Sequence, residues 1–183
     1  MIPRLEMEQM DARLREVLVA RVARLGYLGE FFKCAALQPD CLLAFMQLTE
    51  ALKKALPDRL GELVTLAVTS VTGNEYERNQ HERLCERLGY ERSWIAAAGG
   101  RGSGPSPLSP VEQAVFRLAL SALRKDGREL SRELSDVVEA IGPAQTVAVL
   151  LLIGRNWAHG LVANALGFQP PVASIFAARA PNR

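Results

Sequence analysis

The chain has 183 residues, 49% of them hydrophobic, and a formal charge of +2 from 22 Lys and Arg against 20 Asp and Glu. That composition supplies a core and excludes wholesale disorder, while the near-balance of charge gives no electrostatic case for nucleic acid or an anionic membrane. Three cysteines, Cys34, Cys41 and Cys85, are too few for a disulfide scaffold, so a cytoplasmic location is expected.

The first residues carry acids from Glu6 onward and no apolar core, so no targeting peptide is expected. Periodic segments repeat at three and four, with no strand alternation. A first helix is predicted over residues 11–25, with Leu14, Val17, Leu18, Arg21, Val22 and Leu25 as its stripe. A short segment FFKCAA precedes Pro39, and a second full helix follows over 40–55. Pro57 is placed just inside the next helix, where its missing N–H is harmless. Leu60, Leu63, Val64 and Ala67 form that helix's buried side, continued by Val71, and it stops near Gly73. Residues 74–88 form a further helix closed by Gly89, with a short one over 91–98.

The stretch GGRGSGPSPLSP, residues 99–110, is expected to be a mobile surface loop. It ends in a strong helix start. Ser109 caps, Pro110 takes the first helical position and Glu112 completes a capping box. That helix runs to about residue 125. A short one follows over 132–141, and Pro143 opens a last one to about 166, roughly 36 Å long. Its apolar run VAVLLLIG falls far short of the ~18 residues of a membrane span and reads as buried helix, so no membrane is expected. Residues 1–183 are expected to form a single all-α domain.

One of the chain's two histidines lies in TGNEYERNQHERLC. On a helix, Asn74, Glu77, His81, Cys85 and Leu88 share one broad face, and the i,i+4 spacing lets Glu77 orient or polarise His81. The bland alternative is a solvated surface pair. Glu62 stands in the first turn of an otherwise apolar helix, where an acid is favourable in any case. If the helices on either side of Gly73 pack antiparallel, Glu62 and His81 meet: they lie ~16 Å and ~12 Å along their helices from the break. In IGRNWAHGLVANALG, Arg155, Asn156 and His159 can share a face. Arg155 offers a planar fork for a substrate carboxylate, with His159 beside it; the alternative is a face turned to solvent or a neighbouring subunit. Neither an HExxH nor paired Glu-x-x-His motifs are present, so no metal and no cofactor is expected.

The segment GELVTLAVTSVTGNEYERNQHERLCERLGY resembles the signature of the carboxymuconolactone decarboxylase family, which includes the alkylhydroperoxidase D-like proteins. Further likeness over about residues 20–170 lies in QPDCLLAFMQLTEALKKALPDRLGELVTLAV, LSPVEQAVFRLALSALRKDGRELS and VAVLLLIGRNWAHGLVANALGF. The resemblance implies an alkylhydroperoxidase D-like helical domain of about six to eight helices, assembled as a dimer, trimer or hexamer. Redox-active members carry a glutamate, a Cys-x-x-Cys pair and a histidine at the spacing that here holds Glu62, Asn74, Glu77 and His81. Both sulfurs are therefore absent, and a dithiol peroxidase cycle, which needs an attacking and a resolving thiol, is not expected.

Three readings follow. The first is acid–base chemistry, such as decarboxylation, on a small organic acid or lactone: His81 carries the proton, Glu62 or Glu77 orients it, and Asn74, Arg155 and His159 hold the substrate. The second is a peroxidase or antioxidant using Cys85 as a redox residue with an external thiol. The third is a non-catalytic helical oligomer or binding protein.

Overall fold

All the helices and turns of the computed structural model, which describes residues 2–102 and 105–177, conform to the all-α expectation; among them are eight α-helices and one 3-10 turn. By contacts the chain divides into two units, residues 1–51 and 52–183.

The first unit holds the 3-10 turn Met7–Gln9, helix α1 (Ala12–Leu25), α2 (Glu30–Ala35) and most of α3 (Pro39–Ala55). The Asp11 carboxylate accepts from the backbone N–H of Arg13 at 2.9 Å, satisfying one of the orphan donors at the start of α1. Leu14 and Leu18 are fully buried, as expected. Val17, assigned to the same stripe, is exposed, because α1 buries a narrower side than the sequence pattern suggests. The chain before α1 is tied to α2 by the Leu5 N–H, which donates to the Lys33 carbonyl, and by Lys33 Nζ on Glu6 at 2.7 Å.

The second unit is built on α4 (Asp58–Val71), which packs against α5 (Glu75–Arg87), α6 (Arg92–Ala98), α7 (Pro110–Arg124) and α8 (Ser131–Ala165). Leu60, Leu63, Val64 and Ala67 are buried, as predicted, and so are Thr65 and Thr69. Those hydroxyls return to carbonyls one turn back, Gly61 and Thr65, so two polar side chains enter the core satisfied. Val71 is exposed rather than buried, since α4 ends there and the chain turns at Gly73. Pro57 precedes the helix as its cap, in extended conformation, one residue earlier than predicted.

The start of α7 conforms to expectation. Ser109 Oγ accepts from the Glu112 N–H, and Glu112 Oε2 accepts from the Ser109 N–H at 2.7 Å. Glu112 also accepts from Trp94 Nε1 at 3.0 Å and Arg59 Nε at 2.6 Å, so the box is buried against α6 and α4. Ser109→Ala is expected to lower the unfolding free energy by about 1 kcal/mol, measured as a shift of the urea midpoint at unchanged slope. Of the stretch expected to be a mobile loop, residues 103 and 104 lie outside the described residues. Its flanks are anchored, by Ser70 Oγ donating to the Gly99 carbonyl at 2.8 Å and by the burial of Leu108.

Helix α8 is two helices that meet at a kink at Gly142, as the Gly-Pro pair predicted. Its φ of 78° and ψ of 165° interrupt the ladder and restart it at Pro143. Further along, Gly160 lets α8 approach the start of α5 closely: a Cβ there would stand 3.4 Å from both Asn74 Nδ2 and Thr72 Oγ1. Beyond α8, the chain is strapped to another face of α5, where Asn79 Nδ2 donates to the Val172 carbonyl, Arg83 Nε to that of Ala173, and the Ile175 N–H to Glu82.

Candidate active site

Helix α5 begins one residue past the turn at Gly73, with Asn74 as its cap: Asn74 Oδ1 accepts from the Glu77 N–H at 3.1 Å. That start fixes the phase of the helix, so Glu77, His81 and Cys85, four apart, share one side. The antiparallel return beside α4 brings His81 Nδ1 to 2.6 Å from Glu62 Oε2. An ionised carboxylate only accepts, so Nδ1 carries the hydrogen and the imidazole is fixed in orientation. The other ring nitrogen, Nε2, stands 3.8 Å from Glu77 Oε1, too far for a direct hydrogen bond. The His81 side chain is 24% exposed and that of Glu62 is 15% exposed.

Helix α8 closes the arrangement. Arg155 Nη1 donates to Glu77 Oε1 at 2.8 Å and to Asn156 Oδ1 at 2.8 Å, and His159 Nδ1 stands 3.0 Å from Glu77 Oε2. Asn156 Nδ2 in turn donates to Thr65 Oγ1 on α4 at 3.0 Å. Asn74 Nδ2 lies 3.4 Å from His159 Nδ1. Because Nδ1 donates to Glu77, two donors face each other there, and the approach is a packing contact rather than a hydrogen bond. Tyr76 stacks on the His159 ring with centroids 6.0 Å apart, and Phe168 packs on Tyr76.

The electrostatics follow from this geometry. Burial on its own would raise the Glu77 carboxyl, but His159 and Arg155 beside it outweigh burial and hold it well below the usual carboxylate range. Burial pushes the His81 ring down, whereas the Glu62 and Glu77 carboxylates push it up further, and the net result is a raised value. Cys85 is fully buried, with Sγ 3.7 Å from Glu62 Oε2. Burial and the adjacent carboxylate both push its thiol far up, so it stays protonated.

All seven candidate residues thus meet in one network: Cys85, Glu62 and His81 on one side, then Glu77 with Arg155, His159 and Asn74. Its internal order differs from the sequence reading. Arg155 and His159, assigned to substrate, are engaged by Glu77, and Asn74 serves as a helix cap. Gln80 Nε2 donates to the Tyr76 carbonyl of its own helix. Thr65 and Tyr76 were not singled out from the sequence, and Asn156 was named only as sharing a face with Arg155 and His159. The Asn-x-x-Glu spacing at a helix start could have revealed the cap, whereas nothing local marks Thr65 or Tyr76. Among the described residues no group of three or more His, Cys, Asp or Glu side chains is arranged to hold a metal ion.

Residues 39–120 match the profile of the Carboxymuconolactone decarboxylase family, a span that contains α4, the turn and all of α5. The chain is similar to that family over this span, and its fold is AhpD-like. Among solved structures it is similar to the debrominase Bmp8 in its apo form, with a TM-score of 0.78 at 15% identity, covering 93% of this chain and 91% of that one. It is equally similar to a peroxidase-related protein of Ralstonia eutropha described as an alkylhydroperoxidase AhpD core, at 0.78 and 15%, covering 93% of each chain. A peroxidase-related protein of Silicibacter gives 0.76 at 15%, covering 92% of each. At these identities the likeness carries the fold alone. Among curated proteins none matches the chain. The chain has no Cys-x-x-Cys pair.

Proposed function

We propose that the protein is an acid–base enzyme acting on a small organic acid or lactone, with His81 as proton carrier. The observation that carries this reading is the 2.6 Å bond from His81 Nδ1 to Glu62, which leaves Nε2 of the partly exposed side chain as the nitrogen offered to a substrate. A raised imidazole is more often protonated at neutral pH than an ordinary one, which suits it to donate. In a decarboxylation, the bond to the departing carboxylate breaks and its electron pair passes into a neighbouring carbonyl as an enolate. His81 Nε2 then protonates the carbon, Glu62 steadies the imidazolium beforehand, and water restores the proton afterwards.

A redox reading through Cys85 has little to support it: the thiol is buried, protonated and without a cysteine three residues away. The test is a screen of β-keto acids and carboxylated lactones in deuterated water. Wild-type protein and Cys85→Ser should release carbon dioxide and retain one deuterium at the carbon that bore the carboxylate, and His81→Gln should not. Equal turnover by wild type and His81→Gln would exclude His81 as the carrier. Peroxide consumption with a dithiol donor, lost in Cys85→Ser, would favour the redox reading instead.

A further inference from the structure

A groove of about 510 Å³ opens between the starts of α4 and α7. That volume lies within the range of small-molecule sites. Its apolar floor is Leu60 and Leu108, both buried, with Pro57, Pro107 and Val111 exposed around them. The Leu108 side is held in place, because its carbonyl accepts from Gln113 Nε2 at 2.8 Å. None of the lining residues belongs to the network of Glu62, His81 and Glu77, so the groove stands apart from the catalytic reading.

The cation in that lining is Arg59, and it is fixed on its inner side. Its Nε donates to Glu112 Oε1 at 2.6 Å, and its guanidinium carbon stands 4.5 Å from the Trp94 ring centroid and 5.0 Å from that of Tyr90. Glu112 and Trp94 are themselves buried, which anchors the contact. Glu112 also accepts from Trp94 Nε1 and the Ser109 N–H, so its charge does not rest on Arg59 alone. Among the described residues nothing hydrogen-bonds to Arg59 Nη1 or Nη2, and the side chain is 45% exposed. A planar fork is thus pinned at Nε, with its outer pair of nitrogens left for the groove it lines. An arginine in this state takes a carboxylate by two parallel bonds with little side-chain freedom left to lose.

We propose that this groove binds a small organic monocarboxylate, its carboxylate on Arg59 Nη1 and Nη2 and its apolar body over Leu60 and Leu108. Two features set that class. Glu112 holds the other edge of the same guanidinium, which disfavours a second negative charge on the ligand. A bare inorganic anion leaves the apolar floor uncovered and forgoes its burial.

The probe is hydrocinnamate, titrated into the isotope-labelled full chain at neutral pH and followed by nuclear magnetic resonance. The Arg59 Nε–H and Trp94 indole N–H signals should shift together and saturate, with a Kd on the order of 0.1–1 mM for a ligand of this size in an open groove. The indole of Trp157, which does not line the groove, should stay still. Hydrocinnamamide, the neutral counterpart, should bind about 10-fold more weakly or worse, and so should the acid to Arg59→Met. Arg59→Met also takes a partner from Glu112, so Val111→Asp is the second variant. It keeps the Arg59–Glu112 pair, sets an acid at the groove and should weaken the probe several-fold, with the helical circular dichroism unchanged. His81→Gln should bind the probe as wild type does. No saturable shift, equal affinity for acid and amide, or binding indifferent to both groove variants would overturn the inference. So would inorganic phosphate giving the same shifts at the same concentrations, or loss of the probe in His81→Gln, which would place it in the catalytic network instead.

Discussion

Arg155→Met is expected to lower the unfolding free energy by about 3 kcal/mol, which for a chain of this size is a fall in Tm of roughly 6–12 °C. The residue contributes little as a charge in water. Its weight comes from Glu77, whose side chain is 7% exposed and whose carboxylate survives burial because Arg155 and His159 flank it. With Arg155 gone, the buried anion keeps His159 and the more distant His81 but loses the guanidinium. Removing both members should hurt less than the sum of the single losses, so Glu77→Gln combined with Arg155→Met is expected to be more stable than additivity predicts. The effect of pH has a definite sign. A carboxyl held below its ordinary value contributes stability that is fully present above the unfolded pKa, about 4.3, and lost as pH falls through the lower folded value. The gap between wild type and Arg155→Met should therefore close on acidification below about pH 4.5. Urea titrations of the two proteins from pH 7 to pH 3 measure it; a gap of constant width would remove Glu77 as its source.

Loss of His81 is expected to reduce turnover of any accepted substrate on the order of 10²–10⁴-fold, and Glu62→Gln should reproduce much of that loss with His81 still in place. The reason is orientation. A neutral amide in place of the carboxylate no longer requires Nδ1 to carry the hydrogen, nor does it steady the imidazolium. The imidazole pKa, followed by the ring-proton resonances, should fall in Glu62→Gln, because burial then acts with only Glu77 to oppose it. In the wild type the raised folded value means a contribution to stability fully present below the unfolded pKa, about 6.5, and lost as pH rises through the folded one. The stability advantage of wild type over Glu62→Gln should thus shrink above about pH 6.5. An unmoved His81 titration in Glu62→Gln would show that the 2.6 Å contact does not govern the ring.

What was legible in the sequence was local. The break at Gly142, the box at Ser109, Pro110 and Glu112, and the return of α5 beside α4 all follow from residues within a few turns of one another. The meeting of Glu62 with His81 was legible for the same reason, since only a short turn separates their helices. The attachment of Arg155 and His159 to Glu77 was not. Those groups are separated by 78 residues of sequence or more, and no periodicity fixes which side of α8 faces α5. Val17 and Val71 mark a second limit. An apolar position continues a stripe on paper whether or not another element arrives to cover it.

The capping of α5 by Asn74 and the anchoring of Glu77 have a consequence for how this lineage can change. Installing cysteine at position 77 alone would remove the carboxylate that holds Arg155 and His159, and cysteine at position 74 alone would strip α5 of its first-turn acceptor. Each intermediate on the way to a sulfur pair is handicapped before any redox benefit exists. A sulfur pair here would therefore need several coordinated changes on two helices.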